Sequence, residues 1–573
     1  MAVLEGGGNA VDAAVAAGFV LQVVEPQSCG LGGDLCALVH SAASGATSVI
    51  CGQGPMPHTA TLEAFEMLGL SAIPGSGMLP ACVPGAFGGW LRMLLEFGTV
   101  SLDRALDAAI SYAWSGFPLP ADAAKAIDVL APLFREEWPG SGETFLDRGD
   151  PPPAGAIVRN RVLAETMRRL LRESTTTADR EAGIERALSA FYAGFVADRV
   201  DAFVRTSNVL DATGERHRGF LTGDDMASWV ATIEAPARFT RGQYDVLKPG
   251  IWTQGPVFLQ QLSLLDGRDL NSMGLLSGEY IHTLVEAIKL STADREAWYG
   301  DSSSRVLTAD DLLEIDYCRS RAALIGQTAL REPPAGSPHG EQPWIVNPAP
   351  PPSLSGEPGW MQQLQAGIPT VVIQATLKAG DTSTVCVADR WGNLVAAVPS
   401  GGWLKSSPVI PGLGFALGTR GQAMWLASGH PNSLEPGRRP RTTLSPTVVL
   451  RDGEPFLAFG TPGGDRQDQW TMESFLGITE FGLNLQTATE ITMFCSDHFP
   501  SSFSPRGSRP GVVSIEATCS EDALAELRKR GHEVETVAAK SMGKVCIVGR
   551  DEPRGSVRAG SGPRGLQAYA VCR

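Results

Sequence analysis

Over residues 332–359 the chain changes character, and that change limits the folds open to it. From about Leu102 to Leu330 helical periodicity dominates, clearest where Ile281, Leu284, Val285 and Ile288 fall at i, i+3, i+4 and i+7. The stretch Glu332 to Gly359 holds Pro333, Pro334, Pro348, Pro350, Pro351 and Pro352, which suit neither a helix nor a central strand, and it reads as a surface linker. Short β-type runs follow at Thr370–Gln374, Thr384–Ala388, Leu394–Val398, Thr447–Leu450 and Phe456–Phe459. The second and third flank Asp389-Arg390-Trp391-Gly392-Asn393, and the last two flank Arg451-Asp452-Gly453, both hairpin signals. A helix through Trp470, Phe475 and Ile478 comes next. At the front, Asn9 caps a helix from Ala10 to Val24, and Gly30, Gly32 and Gly33 turn the chain into a strand at Leu35–Val39. Strands at both ends with helices between them predict an α+β layered fold whose ends share sheets.

Length and charge narrow the function. A chain of 573 residues exceeds one ordinary core, so two packed lobes or two domains are expected. The formal charge of −15 repels phosphate and anionic lipid, and no sizeable basic patch offsets it, so neither nucleic acid nor a membrane surface is an expected partner. Ala10–Val24 is too short to span a bilayer and reads as a buried helix. Ten cysteines without a CxxC pair read as reduced, mostly buried thiols. The eight histidines stand singly, as surface or satisfied core residues do. Phosphate-loop, zinc-protease, nucleophile-elbow and dinucleotide fingerprints are lacking, so neither a metal nor an organic cofactor is expected.

What remains is Gly380-Asp381-Thr382-Ser383-Thr384-Val385-Cys386, a threonine at the mouth of a strand just past a glycine. A threonine hydroxyl is a poor nucleophile until a base takes its proton. Its own α-amine, with an ordinary pKa of about 7.7 to 8.0, can be that base, but only after the preceding peptide bond is cut. A chain using Thr382 this way is made as a precursor and cleaved between Asp381 and Thr382. Read alone, the same stretch is a polar strand start.

Four separated blocks resemble the gamma-glutamyltransferase family of N-terminal-nucleophile hydrolases in order and spacing, over essentially the whole chain. They are Gly7-Gly8-Asn9-Ala10-Val11-Asp12-Ala13-Ala14 with Glu25-Pro26-Gln27 and Gly30-Leu31-Gly32-Gly33; Val83-Pro84-Gly85; the threonine block; and Arg439-Pro440-Arg441-Thr442-Thr443-Leu444-Ser445-Pro446 with Gly460-Thr461-Pro462-Gly463-Gly464. The resemblance implies a four-layer αββα sandwich shared by a large subunit, 1–381, and a small catalytic subunit, 382–573. It implies Thr382 as nucleophile, Ser400 as a second hydroxyl orienting it, Thr442 and Thr443 as holders of the substrate carboxylate, and Gly463 and Gly464 as the oxyanion hole. Glycines between a hairpin strand and a helix suit that last role, since unhindered N–H groups can meet a developing oxyanion. The implied partners are a small amide or gamma-glutamyl substrate and the other self-cleaved fragment in a heterodimer, with or without further oligomerisation. The first residues lack a secretion signal, which favours the cytoplasm, yet the family carries a strand and helix ahead of the first block, so the N-terminus reads as truncated.

Two departures bear on the substrate. Where the family places an arginine for the α-carboxylate, Cys51-Gly52-Gln53-Gly54-Pro55-Met56-Pro57 leaves Gln53 nearest, without the bidentate contact. Where it places an acid for the α-ammonium, Gly418-Thr419-Arg420-Gly421-Gln422-Ala423-Met424 has Ala423, while Arg420 adds a positive charge and no Asp or Glu occurs between Arg390 and Glu435. Such a pocket is expected to favour an acyl group without the amine, and the departures fit acylase-like or oxamate amidohydrolase-like enzymes at least as well as glutathione breakdown. A non-catalytic, uncleaved relative is the other alternative.

Overall fold

The computed structural model describes residues 1–301, 307–345, 382–551, 555–564 and 568–572. The expected strand Thr370–Gln374, residue Asp381 and positions 346–359 of the linker lie outside the described residues.

Two antiparallel sheets carry the fold. The first has the order Val385–Ala388, Leu394–Ser400, Asp34–Ser41, Ala46–Gly52, Thr232–Glu234. The second runs Ser556–Ser561, Cys546–Asp551, Glu454–Gly460, Thr447–Arg451, Tyr244–Lys248, Ala237–Arg241. The first sheet draws strands from both sides of residue 382, with Asp34 opposite Ser400 and Cys36 opposite Val398. The two ends of the chain therefore share sheets, as their composition predicted.

Side-chain alternation defines the layers. Along 34–41 and 394–400, Leu35, Ala37, Val39, Val395 and Ala397 pack into one core with the helices Ala10–Val24 and Ala86–Phe97. Their alternates Cys36, Leu38, Leu394, Ala396 and Val398 pack instead against Leu247, Val448 and Ala458 of the second sheet. Val246, Val449, Leu457 and Phe459 turn outward onto the helices Gly255–Leu264, Gly278–Trp298 and Gln467–Thr479. That order is helix, sheet, sheet, helix. Strands buried on both faces need apolar residues on both, which is why these runs do not alternate with polar ones. A small sheet, Phe494–Ser496, Val512–Glu516 and Glu533–Val537, joins the second helical layer.

Local chemistry sets the element ends. Asn9 accepts the Asp12 N–H at 3.0 Å while Asp12 accepts the Asn9 N–H at 2.8 Å, a reciprocal cap. Asp12, the one charge in that apolar helix, is buried because it also accepts from Thr99 N and Oγ1, both at 2.7 Å. In the hairpin 447–460, Asp452 (φ 54°) and Gly453 (φ 85°) form the two-residue turn with both φ positive that matches strand twist. Residues 102–330 are less uniform than their periodicity suggested: besides long helices they hold the strands Thr232–Glu234, Ala237–Arg241 and Tyr244–Lys248. Their cue was local, alternating runs on either side of Gly242, which has φ 59°. No helix among the described residues is long and apolar enough to cross a membrane.

Candidate active site

Residues two apart on a strand share a face. Because Cys36, Val398 and Cys386 face the second sheet, so do Asp34, Ser400 and Thr382. Asp34 pairs with Ser400 in register, and Ser400 forms the terminal bridge with Thr382. Gln53 follows Gly52, the partner of Leu35, on the face of Cys51. Thr382, Ser400, Asp34 and Gln53 thus form a transverse row at the end of the first sheet. Thr382 Oγ1 lies 3.2 Å from Ser400 Oγ, and both side chains are buried. The next residue is pinned as well: Ser383 N–H donates to Pro399 O at 3.1 Å, and its hydroxyl donates to Glu25. The glycines of the first block let the backbone come this close, since a Cβ on Gly33 would sit 2.1 Å from Ser400 O.

The second sheet supplies the facing wall. A Cβ on Gly460 would meet Thr384 Cγ2 at 3.1 Å, so the chain leaving this strand arrives beside the threonine row, and Pro462 lines one cavity of about 480 Å³ with Thr382 and Ser383. The turn Gly463-Gly464 follows. Gly463 has φ 139°, and a Cβ there would lie 2.2 Å from Trp470 Cζ3; Gly464 has φ 58°. Gly463 O accepts the Arg466 N–H at 3.2 Å, so the Gly464 N–H across the same trans peptide points the opposite way. Asp465 accepts from Ser502 N at 2.9 Å, Ser502 Oγ at 2.6 Å and Arg295 Nη1 at 2.7 Å. Burial acts to raise its carboxyl, but Arg295 and these hydrogen bonds hold it below the ordinary value.

Thr442 and Thr443 enter the second sheet beside this turn. Thr442 N–H donates to Trp252 O and Gln254 N–H to Thr442 O, each at 3.0 Å. Behind them Lys248 Nζ lies 2.7 Å from Asp468 Oδ1, and Ser445 Oγ donates to the same oxygen at 2.5 Å. Burial lowers Lys248 and raises Asp468 from their ordinary values, against the attraction between them. Among the described residues Thr443 Oγ1 and Gln53 Oε1 are buried without a hydrogen-bond partner, and Gln53 Nε2 is spent on Gly54 O at 2.8 Å. Buried polar atoms left open in this way suit a ligand or water.

Arg420, which adds a positive charge to the loop, is paired with a carboxylate. Its Nε and Nη2 reach Asp34 Oδ2 and Oδ1 at 2.6 and 3.0 Å, with side-chain exposures of only 3% and 5%. The guanidinium lies 5.5 Å from the ring centres of both Trp403 and Phe503. Asp34, Gln254, Trp403 and Phe503 were not foreseen, although a lone charge between Gly33 and an apolar strand is a signal that could have found Asp34.

Each histidine has a hydrogen-bond partner. His282 and His532, single in sequence, meet at 2.8 Å near Glu286. Their ligating atoms are in use: His282 Nε2 faces Gly326 O, so its Nδ1 accepts from His532, and Lys289 Nζ sits 2.5 Å from Glu286 Oε1.

Comparison with known proteins agrees with this geometry. The family model for gamma-glutamyltranspeptidase matches residues 1–572. The glutathione hydrolase-like YwrD proenzyme of Bacillus subtilis is 28% identical over 98% of this chain and 94% of its own length. The solved structure of LmbA2991HD superposes with a TM-score of 0.91 at 44% identity, covering all of this chain and 96% of that one. Cephalosporin acylase from Bacillus halodurans gives 0.79 at 26% identity, covering 98% of this chain and 91% of that one. A threonine row facing a glycine turn across a four-layer sandwich, together with a match along nearly the whole sequence, means that this chain belongs to the gamma-glutamyltranspeptidase family of self-processing N-terminal-nucleophile enzymes.

Proposed function

We propose that the chain matures by cleavage between Asp381 and Thr382 into a large fragment, 1–381, and a small one, 382–573, which remain together as a heterodimer within one sandwich. Thr382 Oγ1 then attacks a substrate amide, its freed α-amine takes the proton, and Ser400 orients the hydroxyl. The N–H groups of Gly463 and Gly464 stabilise the tetrahedral oxyanion, one such donor being worth about 3 to 4 kcal/mol. The leaving amine departs protonated, and water or another amine takes the acyl group. The observation that carries this reading is the 3.2 Å contact of Thr382 with Ser400 in the row facing the Gly463-Gly464 turn.

The acyl group is that of a small carboxylic acid amide without an α-amine. Support comes from the charges along the row: its carboxylate, Asp34, is already neutralised by Arg420 and has no charge left for an ammonium. Thr442, Thr443 and Gln53 offer neutral hydrogen-bonding groups, so the row presents no uncompensated carboxylate to attract an ammonium. The alternative is cleavage of a gamma-glutamyl amide such as glutathione, the Bacillus subtilis relative being named glutathione hydrolase-like.

Gel electrophoresis tests the nucleophile. Fragments of roughly 40 and 20 kDa are expected, with the smaller one beginning at Thr382, and Thr382→Ala should remain one inactive band. Activity in an uncleaved Thr382→Ala chain overturns the assignment. Gamma-glutamyl-p-nitroanilide and glutaryl-p-nitroanilide, which differ only by the amine, test the substrate; turnover of the former alone removes the non-glutamyl reading.

A further inference from the structure

We propose that Gln254 is a positioning residue that locks the oxyanion turn to the substrate-holding turn. This rests on the roles given above to Gly463, Gly464, Thr442 and Thr443. Gln254 is 1% exposed and stands at the start of the helix Gly255–Leu264, on neither of the turns that it joins. Its backbone N–H donates to Thr442 O at 3.0 Å and its side-chain Nε2 to Gly464 O at 2.9 Å. Its Oε1 accepts from Arg295 Nη1 at 2.8 Å.

The amide has one accepting end and one donating end. Arg295 is a permanent donor, so the oxygen must face it and the NH2 group is left aimed at Gly464 O. Arg295 Nη1 also reaches Asp465 Oδ1 at 2.7 Å, which ties Gln254 to the residue after Gly464. Gly464 has no side chain and has φ 58°, so nothing intrinsic holds its two flanking peptide planes. Arg466 N–H fixes the plane before it, through Gly463 O at 3.2 Å, and the plane after it is held from two sides, by the Gln467 N–H and by Gln254 Nε2, both donating to Gly464 O. An oxyanion hole works through donors already aimed before the charge forms. Loss of the Gln254 bond leaves the Gly464–Asp465 plane to the Gln467 N–H alone, so the turn that carries the Gly464 N–H is less rigidly aimed while the acyl-group contacts at Thr442 and Thr443 stay in place.

Gln254→Met keeps the volume but neither polar end; Gln254→Glu keeps the acceptor for Arg295 but replaces the donor to Gly464 O with an anionic oxygen. Kinetics on glutaryl-p-nitroanilide would be read with inhibition by two probes. One is 5-oxopentanoate, whose aldehyde forms a tetrahedral oxyanion on the nucleophile; the other is glutarate, which does not. For both variants kcat should fall about 10- to 100-fold with KM changed less than about 3-fold. The aldehyde should weaken by the same factor as kcat and glutarate by less than about 2-fold. The proposal is overturned if kcat stays within about 2-fold of wild type, or if glutarate weakens as much as the aldehyde, which would mean that the whole pocket had loosened. Should Gln254→Met fail to fold, Gln254→Glu alone decides. If neither nitroanilide is turned over, or Thr382→Ala stays active, it is the underlying reading that fails.

Discussion

Replacing Asp34 tests the charge arrangement on which the substrate reading depends. Arg420 holds Asp34 through two bonds, 2.6 and 3.0 Å long, in a site from which water is nearly excluded. Breaking a buried pair by removing one partner costs about 3 to 5 kcal/mol because the other charge stays buried, whereas replacing both with apolar groups of similar volume is often close to neutral. Asp34→Asn and Arg420→Met should therefore each destabilise by about 3 to 5 kcal/mol, and the double variant Asp34→Leu with Arg420→Met by no more than about 2 kcal/mol. Urea unfolding of the Thr382→Ala chain, which is expected to stay continuous, measures all three. The variants also differ in specificity. Arg420→Met leaves the Asp34 carboxylate uncompensated beside Ser400, free to receive an ammonium, so kcat/KM for the gamma-glutamyl anilide relative to the glutaryl one should rise by about 10-fold or more. Single variants that each cost less than about 1 kcal/mol, the value of an exposed pair, or an unchanged substrate ratio would refute the reasoning.

Two further outcomes are expected. Gly463→Ala puts a methyl 2.2 Å from Trp470 at φ 139°, so the turn must shift; kcat should fall by about 100-fold or more, and a variant with wild-type turnover would remove Gly463 from the oxyanion hole. Acid should weaken the fold through the His282–His532 contact. Burial, then Lys289 and His282, pushes His532 down to about 3, so it stays neutral when folded well below its ordinary value, and burial also lowers His282. The unfolded chain protonates His532 as pH falls through about 6.5, so the stability it contributes is complete above that pH and is lost towards 3, at up to about 1.4 kcal/mol per pH unit, and His282 acts in the same direction. Glu286, Lys289, Arg331 and Arg530 are the charged groups that act on the pair. His532→Gln should flatten the stability profile between pH 6 and about 4.5 by about one proton's worth, and an unchanged slope measured by denaturant midpoints would exclude it.

Features set by neighbours within about four residues were legible in the sequence. The Asn9–Asp12 cap, the Asp452-Gly453 turn and the two-sided apolar strands all follow from local chemistry. Thr382 and Gly463-Gly464 were singled out by the family resemblance of their blocks, since read alone they are a polar strand start and a strand-to-helix glycine turn. The strands between 232 and 248 were obscured because the helices around them set the periodicity over any long window.

Only the tertiary structure decided which distant residues share the site. Asp34 and Arg420 are 386 positions apart, and Gln254 is 188 before Thr442 and 210 before Gly464, so no local pattern relates them. Their pairing follows from sheet register, which is selected by burying apolar faces on both sides of each strand at once. The sequence alone determined that Arg420 brings a charge to a chain lacking the usual nearby acid. Folding determined that this charge is cancelled by a carboxylate from the opposite end of the chain, because a buried cation needs a partner and the first sheet brings Asp34 beside Ser400.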